Sequence, residues 1–150
     1  MLRIRVGEAD FDAGAELAEL NVDGVGGIGS FIGTVRSTPA RPLAALHLEH
    51  YPGMTERAMQ AIAEEAAGRW LLLRCTLIHR VGRLLPRQNI VFVGASSPHR
   101  EAALAATGFL IDWLKTSAPL WKREEFCSGE SAWVKAKETD DAAAARWKLS

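Results

Sequence analysis

The sequence predicts an α+β fold, on three observations. Short β-branched runs and helix-period runs follow one another in mixed rather than strictly alternating order. Apolar residues make up 48% and charged residues 24% of 150 residues, the usage of an ordinary globular chain rather than a disordered or fibrous one. No internal repeat and no Pro/Gly/Ser-rich linker divides the chain, so residues 1–150 are expected to form a single domain around one core.

The elements are expected in this order. Leu2, Ile4 and Val6 alternate with basic residues as an edge strand does, and Asp10 offers an N-cap for a short helix through Glu19, ended by Asn21 to Gly24. GVGGIGSFIGTVR mixes glycines with β-branched residues and reads as a close-packed or bulged strand running to Arg36, followed by the loop STPARP. ALHLEHY is a strand, Tyr51-Pro52-Gly53 a turn, and a helix runs from Thr55 to Trp70 with Met59, Ile62, Ala63, Ala66 and Trp70 on one face. LLLRCTLIHRVG and NIVFVGASS are two strands that pair around a Leu85-Pro86 turn. Ser97 as N-cap and Pro98 at the first helical position open a helix that continues to Ser117 and is stopped by Pro119. WKREEF and SAWVKAK form a last pair of strands joined by a glycine turn, and Thr139 caps a closing helix, TDDAAAARWK, whose acidic start and basic end suit its dipole.

Charge and cysteine usage exclude several function classes. The 18 basic residues equal the 18 acidic ones, so no global field draws the chain to nucleic acid or to an anionic membrane, and no aromatic stacking platform for RNA stands out. The first residues lack the apolar run of a signal peptide, and no run approaches a membrane span. Cys75 and Cys127 form no CxxC pair and fit reduced thiols better than a disulfide framework or a zinc site, with Cys127 a bystander. His47 and Glu49 share a strand face while His50 takes the other, too few ligands for a closed metal site. Gly24-Val25-Gly26-Gly27-Ile28-Gly29 looks like a phosphate loop, but such loops open a helix and these glycines lead into a strand.

The residues that do point to chemistry are cationic. His99 and Arg100 stand in the first turn of a helix, where free N–H groups and the helix dipole favour a phosphate or carboxylate. Lys115 follows the apolar run FLIDWL and Lys122 sits beside Trp121, placements in which an ammonium either snorkels along apolar surface or is partly desolvated, the latter lowering its pKa and fitting it for acid–base or nucleophilic work. Arg36 ends the glycine-rich strand with a guanidinium fork suited to phosphate. Together they describe a subunit that holds a small anion.

FIGTVR, LEHYPGMTERA, IHRVGRLLP, IVFVGASSPHR, FLIDWLKTSAPLWKRE and a closing W-V-x-A resemble, in order and along nearly the whole chain, the large, catalytic subunit of molybdopterin synthase. The resemblance implies an α/β-hammerhead fold with mainly antiparallel strands and a cytoplasmic homodimer within a heterotetramer. It implies a small ubiquitin-like sulfur-carrier subunit whose C-terminal Gly-Gly bears a thiocarboxylate. The implied substrate is cyclic pyranopterin monophosphate, which receives two sulfurs to become molybdopterin. Lys115 and Lys122 fall on the family's essential lysines, and Arg36, His99 and Arg100 on its anion-binding residues. Thr34, Val35, Arg123 and Glu124 lie in the same motifs and complete the implied substrate-binding set. No metal or redox cofactor is implied, because sulfur arrives already activated. Thr34 stands where many relatives place a lysine, and the Ser37–Pro42 loop is richer in proline than the resemblance leads one to expect. A docking module without catalysis would use the same cations for the carrier's terminal carboxylate.

Arg100 and Lys115 lie 15 positions apart on one expected helix, roughly 22 Å along its axis at 1.5 Å per residue. A pterin monophosphate is too short to bridge them, so a site using both is expected to be shared across the dimer, with His99 and Arg100 from one protomer and Lys115 from the other.

Overall fold

Alternating apolar residues and two long amphipathic stretches organise the described residues into two sheets with four helices. The computed structural model describes residues 1–134 and 138–148. In chain order the elements are β1 (Leu2–Gly7), α1 (Ala13–Leu20), β2 (Gly27–Thr34), β3 (Leu43–His50), α2 (Met54–Trp70), β4 (Arg74–Arg80), β5 (Gly82–Leu84), β6 (Asn89–Ser97), α3 (Arg100–Thr116), β7 (Leu120–Phe126), β8 (Ser131–Trp133) and α4 (Glu138–Ala145). The first sheet has the order β1-β4-β6-β2 and the second β5-β3-β7-β8. Among the described residues all strand pairings are antiparallel except β1 with β4, a parallel pair joined through the long crossover that contains α2. The α+β class is therefore as the sequence indicates, and the expected pairing of β4 with β6 is present.

Each face of the first sheet has its own cover. Cys75 and Leu77 of β4 and Val91, Val93 and Ala95 of β6 point to one face, which Met59, Ala63 and Ala66 of α2 and Ala106, Phe109 and Leu110 of α3 close over. Ile78 and Phe92 point to the other face and meet Phe11 and Leu20 beside α1. The second sheet packs Leu43, Leu46, Leu48, Leu84 and Phe126 with Val35 and Val81. The expected stripe on α2 is real: Met59, Ala63 and Ala66 are fully buried, with Ile62 and Trp70 packed at its margin.

Gly26, Gly27 and Gly29, at and just before the start of β2, make room for the start of α3. A Cβ at Gly29 would stand 2.6 Å from the Ala103 carbonyl oxygen and 2.7 Å from Thr107 Oγ1, and one at Gly26 would collide with the Pro98 carbonyl. Backbone-to-backbone approach of α3 to β2 is what removes the side chains there. This is a positive reason for the glycine run that needs no phosphate.

Several boundaries differ from expectation, each for a reason in the tertiary contacts. Asp12, not Asp10, caps α1, its carboxylate accepting from the Ala15 N–H at 3.1 Å. Asp10 instead accepts from the Phe11 N–H and from Asn89, which pins the loop and pulls its pKa down. Ser97 and Pro98 do not open α3: Ser97 stays in β6, paired with Gly27 and accepting from the Gly26 N–H, so His99 becomes an extended cap without a side-chain cap bond and the helix begins at Arg100. β2 ends at Thr34 rather than Arg36, because the register slips at Gly33/Thr34 and Val35 bonds Gln88 and Arg87 instead. β4 begins at Arg74, since Leu71 takes a left-handed φ of 52° that ends α2. The closing helix starts at Glu138, ahead of Thr139, and stops at Ala145, so it has no basic last turn. The Thr139 side chain and residues 135–137 of the expected last strand lie outside the described residues.

Candidate active site

α3 runs antiparallel to its neighbour β6 and delivers its last turn over the strand end that carries Val91 and the paired His79. β7 enters beside it from the Pro119 break. Thr55 fixes that entry: its fully buried hydroxyl donates to the Pro119 carbonyl at 2.9 Å and accepts from the Tyr51 N–H at 3.0 Å. Alternation along β7 then turns Lys122 inward with Leu120, Glu124 and Phe126, and Arg123 outward beside His47 and Trp133.

The result is a cavity of about 640 Å³ whose polar lining includes Thr34, Arg36, His79, Arg87, Lys115 and Lys122. Val35, Ile90, Ile111 and Leu114 supply apolar wall. A second cavity of about 700 Å³ adjoins it, sharing Thr34, Val35, Arg36, Lys115 and Lys122 and adding Arg41, Glu124 and Asp140. Six of the nine residues named from the sequence thus border one continuous hollow. His99 and Arg100 do not: they flank a separate surface pocket with Gly26, Pro98 and Glu101, at the far end of the unbroken α3. Arg123 lies on the opposite side of β7.

Lys122 is a group whose chemistry the surroundings change strongly. Burial, then the charge of Lys115, push its pKa from 10.5 down to about 8, with Asp140 opposing. A hydrophobic wall and a second ammonium both disfavour its charged form, so near neutral pH it gives up a proton far more readily than an exposed lysine. Lys115 itself is exposed at the mouth. Arg36, also exposed, adds a fixed positive charge on the rim.

The other singled-out residues have local explanations. His47 Nε2 donates to Glu125 at 2.7 Å, and Arg83 and His47 together pull that carboxylate down to about 2. Cys75 is buried and pushed up to about 12, while Cys127 is exposed in a turn. Among the described residues no group of three or more His, Cys, Asp or Glu is placed to hold a metal, and no helix is long and apolar enough to cross a membrane. Sequence reading missed His79 as a residue of the site. Its signal was a histidine in place of an apolar residue on the inward face Cys75–Leu77–His79, 3% exposed.

Comparison with known proteins bears on this arrangement. A catalytic subunit of molybdopterin synthase from Pseudomonas aeruginosa is 48% identical over 150 residues, covering 98% of this chain and 99% of that protein. The solved MoaE protein of molybdopterin biosynthesis from Burkholderia ambifaria superposes with a TM-score of 0.83 at 47% identity, covering 100% of both chains. A chain from a complex of subunits 1 and 2 of molybdopterin-converting factor from Helicobacter pylori shares the fold at 22% identity, with a TM-score of 0.68 over 91% of this chain and 90% of that one. The family described as MoaE protein matches residues 6–117, and with it the near-full-length relatives place this chain in the MoaE family, among the catalytic subunits of molybdopterin synthase.

Proposed function

We propose that the chain is the sulfurtransferase subunit that converts cyclic pyranopterin monophosphate to molybdopterin, taking sulfur from a thiocarboxylate on the C-terminal Gly-Gly of a small ubiquitin-like partner. The observation that carries this reading is Lys122, an ammonium made acidic by burial, beside Lys115 and Arg36 around a hollow large enough for a pterin and an inserted tail. The Helicobacter pylori neighbour, a complex of two subunits, supports a partner of this kind. The active form is a homodimer within a heterotetramer, acting in the cytoplasm, and residues 1–150 make one domain.

In each transfer the thiocarboxylate sulfur bonds to a pterin side-chain carbon and the carbon–oxygen bond there breaks. Lys122 gives its proton to the departing oxygen, and Arg36 and Lys115 hold the phosphate and the thiocarboxylate charge. Water then cleaves the acyl–sulfur bond, returning the tail as a carboxylate and leaving the thiol on the pterin. Glu124 and Thr34 border the tail's route, and Val35 is buried wall.

His99 and Arg100 enter the reading through a second copy. β2 is an edge strand with Ile28, Phe31 and Ile32 exposed; its Gly27 end abuts Arg100 and its Thr34 end borders the lysine hollow. Pairing β2 with its symmetry mate, antiparallel about its middle, covers this edge and brings the mate's His99 and Arg100 toward Lys115 and Lys122. A single-turnover reaction with thiocarboxylated partner and pterin precursor tests the proposal: wild type forms the dithiolene, and Lys115→Ala forms little while still binding the partner. Equal turnover by both proteins would reject the catalytic role of Lys115.

A further inference from the structure

His79 is a buried imidazole that the proposed chemistry leaves unused. It extends the inward row Cys75–Leu77–His79 of β4 past the core and reaches the floor of the lysine hollow, 3% exposed. Its Nδ1 lies 2.7 Å from the Arg80 carbonyl oxygen, which only accepts, so Nδ1 carries the proton and Nε2 is left with a lone pair. Burial holds the ring neutral, with a pKa near 4, and the positive charges that add to this effect are Lys122, then Lys115, then His50. Nε2 has no protein donor among the hydrogen bonds of the described residues. Lys122, for its part, is largely withdrawn from water yet has no acceptor and no ion pair among those residues.

Among the described residues, an imidazole nitrogen with no donor and a half-buried ammonium with no acceptor line the same cavity, and polar groups withdrawn from bulk water gain by pairing. We propose that His79 is a positioning residue, whose Nε2 accepts a hydrogen bond from the Lys122 ammonium and holds that ammonium inside the hollow, aimed at the bound substrate. The carbonyl of Arg80 fixes the tautomer, so the ring accepts and never competes for the anion. The hydrogen bond also stabilises charged Lys122 against the burial and the Lys115 repulsion that drive its proton off. The role in turnover rests on the proposed sulfurtransferase reading; the pairing itself does not.

Two amide isosteres separate this role from a structural one. In His79→Asn the amide N–H replaces Nδ1–H and keeps the Arg80 carbonyl bonded but offers nothing at the Nε2 position. In His79→Gln an amide oxygen stands near that position while the Arg80 bond is lost. Losing one hydrogen bond to a charged group predicts a single-turnover rate about tenfold lower in His79→Asn, at unchanged half-saturation by precursor, with most of the loss recovered in His79→Gln. The Lys122 titration, read by pH-dependent amine labelling, falls in His79→Asn and returns in His79→Gln, with Lys115, Asp140 and His50 unchanged around it. A merely structural histidine gives the reverse order, Asn like wild type and Gln impaired, and that order overturns the proposal. Should either variant fail to fold, the nitrogen resonance of His79 Nε2 decides in the folded Lys122→Ala protein. It moves from its wild-type position if the pairing exists, and an unmoved resonance overturns it. Labelling and resonance need no turnover, so a chain that made no dithiolene would refute the sulfurtransferase reading alone.

Discussion

The acidity of Lys122 is the property on which the proposed chemistry leans, and it is measurable without substrate. Burial first and Lys115 second bring its pKa from 10.5 to about 8. At pH 9 that makes about 90% of Lys122 neutral, against about 3% for an unperturbed lysine, a roughly thirtyfold difference in free amine. Brief acylation between about pH 7 and about pH 10, followed by quantification of the Lys122 peptide, reads the free-amine fraction directly. The half-point is expected near pH 8 in wild type. In Lys115→Met it moves upward, because one repulsive charge is gone, but stays below 10.5, because burial is the larger cause. Stability follows with a definite sign: between about pH 8 and 10.5 the unfolded chain binds a proton at Lys122 that the folded chain does not, so this group makes folding more favourable as pH rises through that window. A wild-type half-point near 10.5 would refute the desolvation argument and with it the assignment of Lys122 as proton donor.

Other consequences follow from the same contacts. His79 titrates near 4 when folded and near 6.5 when unfolded, so stability is lost as pH falls between those values, and His79→Asn flattens that part of a denaturant-midpoint profile. Gly29→Ala forces a Cβ to within 2.6 Å of the Ala103 carbonyl and lifts α3 from β2; urea unfolding should show about 1–3 kcal/mol of lost stability, and an unchanged midpoint would contradict the close-packing account. Thr55→Val removes the hydrogen bond that ties the start of α2 to the Pro119 carbonyl and the one accepted from the Tyr51 N–H, costing about 1–3 kcal/mol and increasing amide exchange at the β7 entry; a neutral effect on both would mean the hydroxyl does not fix that entry.

Much of the fold was legible because local signals and tertiary packing agree. The stripe Met59–Ala63–Ala66 specifies which side of α2 is buried, and the runs TLIH and IVFV admit little but two paired, doubly covered strands. Where they disagreed, pairing prevailed over local chemistry. Ser97-Pro98 is a strong helix start in isolation, yet the ladder with Gly27 keeps Ser97 in β6. The crossover that sets β1 parallel to β4 involves residues more than seventy positions apart and leaves no local mark.

The site was legible to the extent that it is made of charge. Arg36, Lys115 and Lys122 stood out as cations next to apolar or glycine-rich runs, and the structure gathers them around one hollow. His79 was hidden because a histidine inside an apolar strand looks the same whether it is satisfied core or cavity floor. Only the Arg80 carbonyl contact and the cavity beneath α3 distinguish them. Arg123 sits in the same motif as Lys122 but on the other side of the strand, a consequence of two-residue alternation that motif membership does not encode.

The proposed reaction centre is built from two copies: the lysine hollow of one and the α3 start of the other. Mixing inactive Arg100→Ala chains with inactive Lys115→Ala chains, and assaying dithiolene formation with partner and precursor, tests this most directly. Each hybrid dimer holds one centre with both residues intact, so the account predicts activity well above either parent. Confirmed hybrids that remain as inactive as the parents would contradict it.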